Sequence, residues 1–361
     1  MKILITYASA GAGHRKAAEA LFQGIQKNTS YEAVCVDALD HSSPLYKKLY
    51  GGTYAFLITH IPSLWGIIFA LLDIPWLQPI VRFFRRWYNQ FNAPKLHDYL
   101  VKEQFDYIFS THFFPTEVAS TLKARKKIHA RIACIITDYD VHRIWLADGV
   151  DVYAVASNYT QQKLKQLGVV ERKIVTTGIP VDEKFTQAYD VAALKEKMGL
   201  TKDAFTVLIA TGSFGIGPIE QIINEIKGFQ VLVVCGHNKK LYQKLSEGMP
   251  ANVHVLGLVD NMHELMAVSD CMVTKPGGLS ITEALVSQLP LIFFNAIPGQ
   301  EIGNVKVLKY YGIGISGCSI KEIAKHMETL RSSKDAYRTV VNKTKELARP
   351  QAVRDIKSLI S

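Results

Sequence analysis

The sequence predicts an α/β protein made of two doubly wound domains, each with a parallel sheet. Three observations lead to this prediction. Short β-branched runs alternate with helical stretches, the alternation restarts after Asp182, and 361 residues suffice for about two domains of roughly 150 residues each. Ligands of such sheets bind beyond the carboxyl ends of the strands, so two domains facing each other would define a cleft.

The N-terminal half begins with a strand over 3–7 and a helix over 15–26. β-branched runs at 33–36, 107–111 and 132–137 predict further strands. Strands separated by helical stretches are typical of βαβ units, so these strands should lie parallel in one sheet.

The C-terminal half repeats the alternation. Its predicted strands, each followed by a helical segment, lie at 205–210, 231–235, 253–258, 271–274 and 291–294. Turn residues at 177–182 precede a polar stretch rich in Lys and Glu, so we place the linker there. The expected domains are therefore 1–182 and 183–345, and residues 346–361 should form a C-terminal helix that returns to the N-terminal domain.

Composition excludes a disordered chain and favours a polyanionic partner. With 48% hydrophobic and 20% charged residues the chain can bury a large core. Its net charge of +10 favours nucleic acid, an anionic membrane surface or a phosphorylated substrate. The five cysteines are scattered without metal-ligand spacing, and the N-terminus lacks the pattern of an export signal. We therefore expect a cytoplasmic protein.

Small residues at 9–13 follow the first predicted strand and precede a helix. Gly11 and Gly13 would let the backbone approach an oxyanion or phosphate at the helix start. A dinucleotide fingerprint is a competing interpretation, but Lys16 occupies its third glycine position; a purely structural turn is another. His14 just inside the helix should be neutral and could act as a base, or it could simply hydrogen-bond the helix start.

A second strand, glycine turn and helix start lie at 274–284. The backbone amides around Gly277 and Gly278 would suit a diphosphate. Glu283, in the first or second helical turn, could accept hydrogen bonds from ribose hydroxyls or could act as a capping carboxylate. Residues 298–304 offer acceptors and amides suited to sugar hydroxyls.

The order and spacing of these motifs resemble those of the GT-B glycosyltransferases that make glycosyl diacylglycerols. This is the monogalactosyldiacylglycerol synthase and processive diacylglycerol glucosyltransferase family, and the resemblance spans most of the chain. The matching pieces are 9–18, 92–100, Ser110 to His112, Thr137 and Asp138 with His142 and Trp145, 275–284 and 298–304. A more distant relative, the lipid-linked N-acetylglucosaminyltransferase of peptidoglycan synthesis, is the alternative family.

The resemblance implies a GT-B fold with an N-terminal acceptor domain and a C-terminal UDP-sugar domain. Glu283 would hold the uridine ribose, and Gly277 and Gly278 would border the diphosphate. The residues expected to face the donor hexose are Gln300, Glu301 and Asn304. Gly212 and Ser213 belong to a donor-side loop, at 210–217, that is less glycine-rich than in the relatives.

The resemblance also implies the reaction. His14 matches the family histidine proposed as general base, and His112 and Asp138 match other cleft positions. The expected enzyme transfers a glucose or galactose from a UDP-sugar to the free hydroxyl of diacylglycerol, with inversion at the anomeric carbon. No metal or other cofactor is expected, and the product is a glycosyl diacylglycerol. The enzyme should be peripheral on the inner face of the cell membrane.

The apolar, aromatic insertion at 48–91 makes a lipid acceptor plausible apart from the resemblance. Residues 49–72 lack Asp, Glu, Lys and Arg, but glycines, prolines and polar residues interrupt this stretch, which argues against a transmembrane helix. At about 100° per residue, Ile80, Phe83, Phe84, Trp87 and Phe91 share one helical face, opposite Arg82, Arg85, Arg86 and Asn89.

This pattern predicts a helix in the membrane interface. The expected contacts with membrane lipids, anionic ones included, are Arg82, Phe83, Phe84, Arg85, Arg86 and Trp87. An ordinary helix packed on its own domain is the alternative. The basic residues at 123–131 form either a solvated face or a further membrane contact.

Two other functional classes compete with this interpretation. Net charge suggests a nucleic-acid-binding protein, but the charge is dispersed and no binding motif accompanies it, so no nucleic-acid partner is expected. A catalytically silent UDP-sugar sensor would keep Glu283 and the glycine turn without needing a base.

Overall fold

The structure is a computed structural model that describes residues 1–9, 11–212, 215, 217–294 and 296–360. It divides into two compact units. The first comprises Met1–Asp182, Ile297–Asn304 and Arg349–Ser361, and the second comprises Glu183–Ala296 and Val305–Ala348.

The first unit contains a six-stranded parallel sheet with the strand order β2-β1-β3-β4-β5-β6. The strands are β1 (Lys2–Tyr7), β2 (Glu32–Asp37), β3 (Tyr107–Ser110), β4 (Arg131–Ile135), β5 (Val152–Val155) and β6 (Ile174–Thr176). In β1, Ile5 lies opposite Cys35 on one side and Phe109 on the other. The sequence predicted the first four strands; β5 and β6 are additional.

Seven helices, all among the described residues, follow in the N-terminal part of the first unit. They are α1 (Ala12–Asn28), α2 (Pro44–His60), α3 (Pro62–Leu71), α4 (Gln78–Asn92), α5 (Pro94–Glu103), α6 (Phe113–Ala124) and α7 (Asn158–Gln166). Helices cover both faces of the sheet, so the side chains of β1, which alternate between the two faces, are buried on both sides. Ile3 and Ile5 pack in the layer of α1, and Leu4 packs in the opposite layer.

The second unit contains a five-stranded parallel sheet with the order β11-β10-β7-β8-β9. The strands are β7 (Thr206–Ala210), β8 (Gln230–Val234), β9 (Val253–Leu256), β10 (Cys271–Thr274) and β11 (Leu291–Phe293). The helices that accompany them are α8 (Val191–Lys197), α9 (Ile219–Glu225), α10 (Lys239–Ser246), α11 (Met262–Ala267), α12 (Gly278–Val286), α13 (Gln300–Tyr310), α14 (Ile320–Ser332) and α15 (Lys334–Leu347). Of these, α13 belongs to the first unit up to Asn304 and to the second unit from Val305. The predicted strands of this half are all present.

The last helix, α16 (Ala352–Lys357), packs on α1 in the first unit. Gly24 of α1 makes this close approach possible, since a Cβ there would lie 2.2 Å from Cγ1 of Val353. Ile356 is fully buried in the same core layer as Ile3 and Ile5.

The segment Ile297–Asn304, which the sequence division assigned to the C-terminal domain, clusters with the first unit instead. Two side-chain contacts explain the difference. Trp65 Nε1 donates to Gln300 Oε1 at 3.2 Å, and the Tyr139 N–H donates to Asn304 Oδ1 at 2.8 Å. Both partners belong to residues 1–182.

In the described part of the chain, no single helix has the length and hydropathy of a membrane span. Helices α2 and α3 together have both, but the chain bends by 116° between them.

Candidate active site

A pocket of about 120 Å³, with polar and apolar lining residues, lies within the first unit. His14, Asp138 and Trp145 line it, together with Phe69 of α3 and Gln300 of α13. His14 and Asp138 follow β1 and β4, whose carboxyl ends lie at the same edge of the parallel sheet. The pocket therefore gathers residues that are far apart in the sequence.

The hydrogen bonds of His14 determine which of its ring nitrogens can act as a base. Nδ1 lies 2.8 Å from the carbonyl oxygen of Thr111 and 2.9 Å from Oγ1 of Thr137. A carbonyl oxygen can only accept, so Nδ1 carries the proton in the neutral ring. Nε2 then holds the free lone pair, and no described residue forms a hydrogen bond with it.

Burial lowers the pKa of His14 to about 4, against the opposing effect of the Thr111 carbonyl. The imidazole is therefore neutral at pH 7. A neutral ring with an available Nε2 can accept a proton from a hydroxyl group in the pocket.

His112 lies beside His14, with 4.6 Å between the ring centroids, but it has a different function in the fold. Its Nδ1 accepts the N–H of Phe114 at 3.0 Å and thereby caps α6. Burial and the neighbouring His14 hold the pKa of His112 well below its usual value. The neutral ring uses its only lone pair in the cap, so its placement among the candidate bases has to be corrected: it supports α6 and packs against His14.

Asp138 is the other candidate base in the pocket. Burial raises the pKa of its carboxyl to about 6; the hydrogen bond from Asn304 lowers it, and Asp140 and Glu301 raise it further. Asn304 Nδ2 lies 3.2 Å from Asp138 Oδ1. This carboxyl can exchange a proton near neutral pH and remains an alternative to His14.

Asn304 does not match the sugar-binding role expected of it. The side chain is fully buried, and its Oδ1 accepts the N–H groups of Tyr139 and Asp140 while its Nδ2 donates to Asp138. Its amide is therefore engaged on both sides by the 138–140 turn. Asn304 is a positioning residue for Asp138, which corrects the assignment to the donor hexose.

Glu301 and Gln300 differ in their positions. Glu301 Oε2 accepts the N–H of Ile297 at 2.8 Å and closes the turn that precedes α13. Gln300 lines the pocket. Of the three residues expected to face a hexose, Gln300 is thus the one that the structure places at the pocket surface.

Sequence reasoning did not assign a role to the wall formed by α3. His142 Nε2 lies 2.9 Å from the carbonyl oxygen of Phe69, and its Nδ1 accepts the N–H of Ile144, so the ring donates to α3. Trp65 of the same helix reaches Gln300. The absence of charged residues in 49–72 indicated an apolar surface. It did not indicate that α3, within this stretch, forms one wall of the pocket.

The first glycine loop precedes α1 as expected. Gly11 is the residue before the helix, and Gly13 is the second residue of α1. A Cβ at Gly11 would meet no atom within 4 Å, which shows open space next to the helix start.

The second glycine turn lies in the second unit. Gly277 precedes α12, and a Cβ there would meet no atom within 4 Å, while Gly278 is the first residue of the helix. Glu283 lies in the second turn of α12 and is 5% exposed. The glycine turn thus lies at a helix N-terminus with open space beside it, which suits a diphosphate, and Glu283 is the sixth residue of the same helix.

The donor-side loop after β7 is described in part. Gly212 has a φ of +77°, and a Cβ there would meet no atom within 4 Å. The preceding Thr211 is buried, and its Oγ1 has no hydrogen-bond partner among the described residues. Ser213, which was expected to contact the donor, lies outside the described residues.

Helix α4 turns its aromatic face to solvent. Phe83, Phe84, Trp87 and Phe91 are 59–76% exposed. Arg85, in contrast, forms an ion pair with the buried Glu117 and donates to the carbonyl oxygens of Ile144 and Leu146 at 2.9 and 3.1 Å. Its guanidinium is thus committed to the protein, and the expected contact between Arg85 and membrane lipid is wrong.

Arg82 and Arg86 are half-buried and lie on the same side of α4. Both pair with Asp148, and Arg86 Nε also lies 3.3 Å from Oε1 of Glu117. The three arginines therefore bind α4 to the rest of the first unit, and the aromatic face of the helix stays exposed. The helical periodicity alone did not indicate this arrangement.

Comparisons with known proteins match both halves of the chain. The family profile for monogalactosyldiacylglycerol (MGDG) synthase matches residues 14–181, and the glycosyltransferase family 28 C-terminal domain matches 206–306. A processive diacylglycerol beta-glucosyltransferase of Bacillus mycoides is 30% identical over 322 residues, which are 87% of this chain and 81% of the relative. The protein of that name in Staphylococcus carnosus is 33% identical over 268 residues, 72% of this chain and 68% of the relative.

Solved structures show the fold. MurG of Acinetobacter baumannii has a TM-score of 0.62 at 14% identity and covers 99% of both chains. The UDP-GlcNAc 2-epimerase of Neisseria meningitidis has a TM-score of 0.63 at 13% identity, again over 99% of both chains. The chain thus has the predicted GT-B fold, which is shared by enzymes with different reactions.

Sequence similarity identifies the family of the chain, which the shared fold does not. MurG is similar in fold alone, whereas the diacylglycerol glucosyltransferases match across most of the sequence, so the resemblance inferred from the motifs is confirmed. The chain belongs to the family of the monogalactosyldiacylglycerol synthases and processive diacylglycerol beta-glucosyltransferases.

Proposed function

We propose that the protein transfers a glucose or galactose from a UDP-sugar to the free hydroxyl of diacylglycerol, with inversion at the anomeric carbon. The observation that carries this proposal is the shared pocket of His14 and α3. A neutral imidazole with an available Nε2 lines the same pocket as Phe69, which belongs to an uncharged apolar helix. A lipid hydroxyl needs both a base and an apolar approach.

These groups support the following reaction. His14 Nε2 removes the proton of the acceptor hydroxyl while its oxygen attacks the anomeric carbon from the side opposite the UDP leaving group. The proton on Nδ1 stays with the Thr111 carbonyl, so the imidazolium that forms keeps this hydrogen bond. The N–H groups at the start of α12 stabilise the departing diphosphate, and Glu283 binds the ribose. We propose no metal for this step.

The enzyme would work at the membrane surface. The exposed aromatic face of α4 lies in the same unit as the outward-facing Phe56, Leu64 and Ile67 of α2 and α3. A surface of this kind favours the membrane interface. We infer a peripheral attachment to the inner face of the cell membrane, with anionic lipids among the contacts.

Product analysis tests the proposed function. The protein is incubated with diacylglycerol in phosphatidylcholine vesicles and with UDP-glucose or UDP-galactose separately, with and without EDTA. We expect a β-linked hexosyl diacylglycerol by mass spectrometry and NMR, in equal yield with EDTA. A folded protein that binds UDP but makes no lipid product with either donor would be the silent sensor. A product formed from UDP-N-acetylglucosamine on a polyprenyl-linked acceptor would instead support the alternative family.

The pH profile distinguishes His14 from Asp138 as the base. If His14 is the base, protonation inactivates it, so kcat/KM should stay level from about pH 8 to about pH 5 and fall only as the pH approaches its pKa of about 4. With Asp138 as the base, the fall would be centred near pH 6.

The folded fraction must be measured at each pH by circular dichroism. The pKa of His14 is lower in the folded protein than the usual 6.5, so the unfolded chain binds more protons between these values. The contribution of His14 to the free energy of unfolding therefore decreases as the pH falls through this range. A loss of kcat/KM that follows loss of the folded protein would not report on the base.

A further inference from the structure

A groove of about 920 Å³ lies beside α4 in the first unit. It shares no lining residue with the pocket of His14, so it is a separate site. Three segments form its walls: α4 with the turn before it, the end of α6, and the loop around Arg143 and Asp148.

Positive charge dominates the groove. Arg82 and Arg86 of α4, Arg125 after α6, and Arg143 line it, and Asp148 is the only carboxylate among its described lining residues. The chain thus brings four guanidinium groups from three segments to the lining of one groove, and two of them, Arg82 and Arg86, pair with its one carboxylate. Such a concentration of arginines attracts a phosphate, whose oxygens match the planar fork of each guanidinium.

Part of this hydrogen-bonding capacity is unused within the described residues. Arg82 Nε is buried and has no partner there. Arg125 makes no side-chain hydrogen bond or ion pair with a described residue, and its side chain is exposed. Arg143 donates from Nε to the Asp73 carbonyl at 3.0 Å, and its two terminal nitrogens have no such partner. The guanidinium of Arg125 and the terminal nitrogens of Arg143 can bind an anion without breaking an existing contact.

The rim of the groove is apolar. Phe83 and Trp87 line it and belong to the exposed aromatic face of α4, with 66% and 59% of their surfaces exposed. An occupant that satisfies both surfaces carries a phosphate for the arginines and an apolar chain for the rings. Free phosphate could bind the arginines but has no apolar chain for the rings.

We propose that this groove binds the headgroup phosphate of an anionic phospholipid, with its acyl chains beside Phe83 and Trp87. The inference rests on the proposed membrane contact of α4 and names the lipid and residues that make it. Arg125 and Arg143 replace Arg85 in the set of arginines expected from the sequence, because Arg85 points to Glu117.

Sedimentation with vesicles tests the groove. Wild-type protein should bind vesicles of phosphatidylglycerol and phosphatidylcholine more tightly than vesicles of phosphatidylcholine alone. Arg125→Gln should weaken binding to the anionic vesicles about fivefold and Arg125→Glu about 25-fold, since each cation near an anionic surface contributes about fivefold. Binding to phosphatidylcholine alone should stay unchanged, because the aromatic rim is intact.

Lys127→Gln is the matched control. It removes the same charge two residues away, and Lys127 does not line the groove. Lys127 lies near the same surface but outside the groove, so this variant should weaken binding less than Arg125→Gln does. An equal loss in Arg125→Gln and Lys127→Gln would overturn the proposal, since it would attribute the attraction to general surface charge. Glycerol 3-phosphate at the same phosphate concentration should not displace the protein from vesicles; full displacement would identify a soluble phosphate as the ligand and overturn the lipid assignment.

The test is independent of the proposed reaction. Vesicle binding needs no donor or turnover, so a protein that makes no glycosyl diacylglycerol still tests the groove. Conversely, turnover of diacylglycerol in detergent should be the same in Arg125→Gln and wild type. Normal turnover without any preference for anionic vesicles would leave the enzyme assignment intact and overturn the groove.

Discussion

Replacement of His14 by alanine should lower turnover by about 10²–10⁴-fold, the contribution of general-base catalysis to attack by a poor nucleophile. The affinity for UDP should remain at the wild-type value, because the proposed contacts with the diphosphate and ribose belong to α12 in the second unit. Turnover and UDP affinity are measured on the same preparation, the second by calorimetry.

Two variants accompany this measurement. His14→Asn keeps an N–H that can donate to the Thr111 carbonyl but has no basic nitrogen, so it should lose as much turnover as His14→Ala with less effect on thermal stability. His129→Ala removes an exposed histidine of the same unit and should be as active as wild type. Near-normal turnover in His14→Asn would reject His14 as the base and assign this role to Asp138.

Replacement of Glu283 by alanine should weaken UDP binding about 10-fold to 150-fold. A ribose hydroxyl would lose a charge-assisted hydrogen bond worth about 1.5–3 kcal/mol. Glu283→Gln keeps the size of this buried side chain and a neutral acceptor, so it should lose less affinity. Calorimetry with UDP measures both.

The control for this position is Glu247→Ala, which removes an exposed carboxylate of the same unit. A second measurement uses 2′-deoxy-UDP and 3′-deoxy-UDP, each of which lacks one ribose hydroxyl. If Glu283 binds the missing hydroxyl, Glu283→Ala should weaken the binding of that analogue less than it weakens the binding of UDP. Unchanged UDP affinity in a folded Glu283→Ala protein would make this carboxylate a structural group of α12.

The fold class could be predicted from the sequence because its evidence is local. Within the predicted strand 205–210, residues 207–210 are all apolar, as expected for a parallel strand that is covered on both faces, and a helical stretch follows it. β5 and β6 were not among the predicted strands, and their length does not explain this, because β10 and β11 are equally short and were predicted. The motifs at 9–18 and 275–284 were equally accessible, since each strand, turn and helix start is contiguous in the chain.

The roles of the site residues depended on contacts that no local pattern contains. The tautomer of His14 is set by Thr111 and Thr137, which are 97 and 123 residues away. Asn304 holds Asp138 across 166 residues, which explains why an amide that looked suited to a sugar is buried in a turn.

The sequence by itself therefore determined the two α/β halves, the family, the glycine turns at helix starts and the amphipathic pattern of α4. Tertiary structure alone decided that His112 caps α6, that Arg85 binds Glu117, and that Arg125 and Arg143 meet the arginines of α4 in one groove. The physical reason is the range of the interactions. Backbone periodicity and turn propensity act over a few neighbouring residues, whereas a hydrogen bond or ion pair depends only on distance in space, which the packing of the whole unit decides.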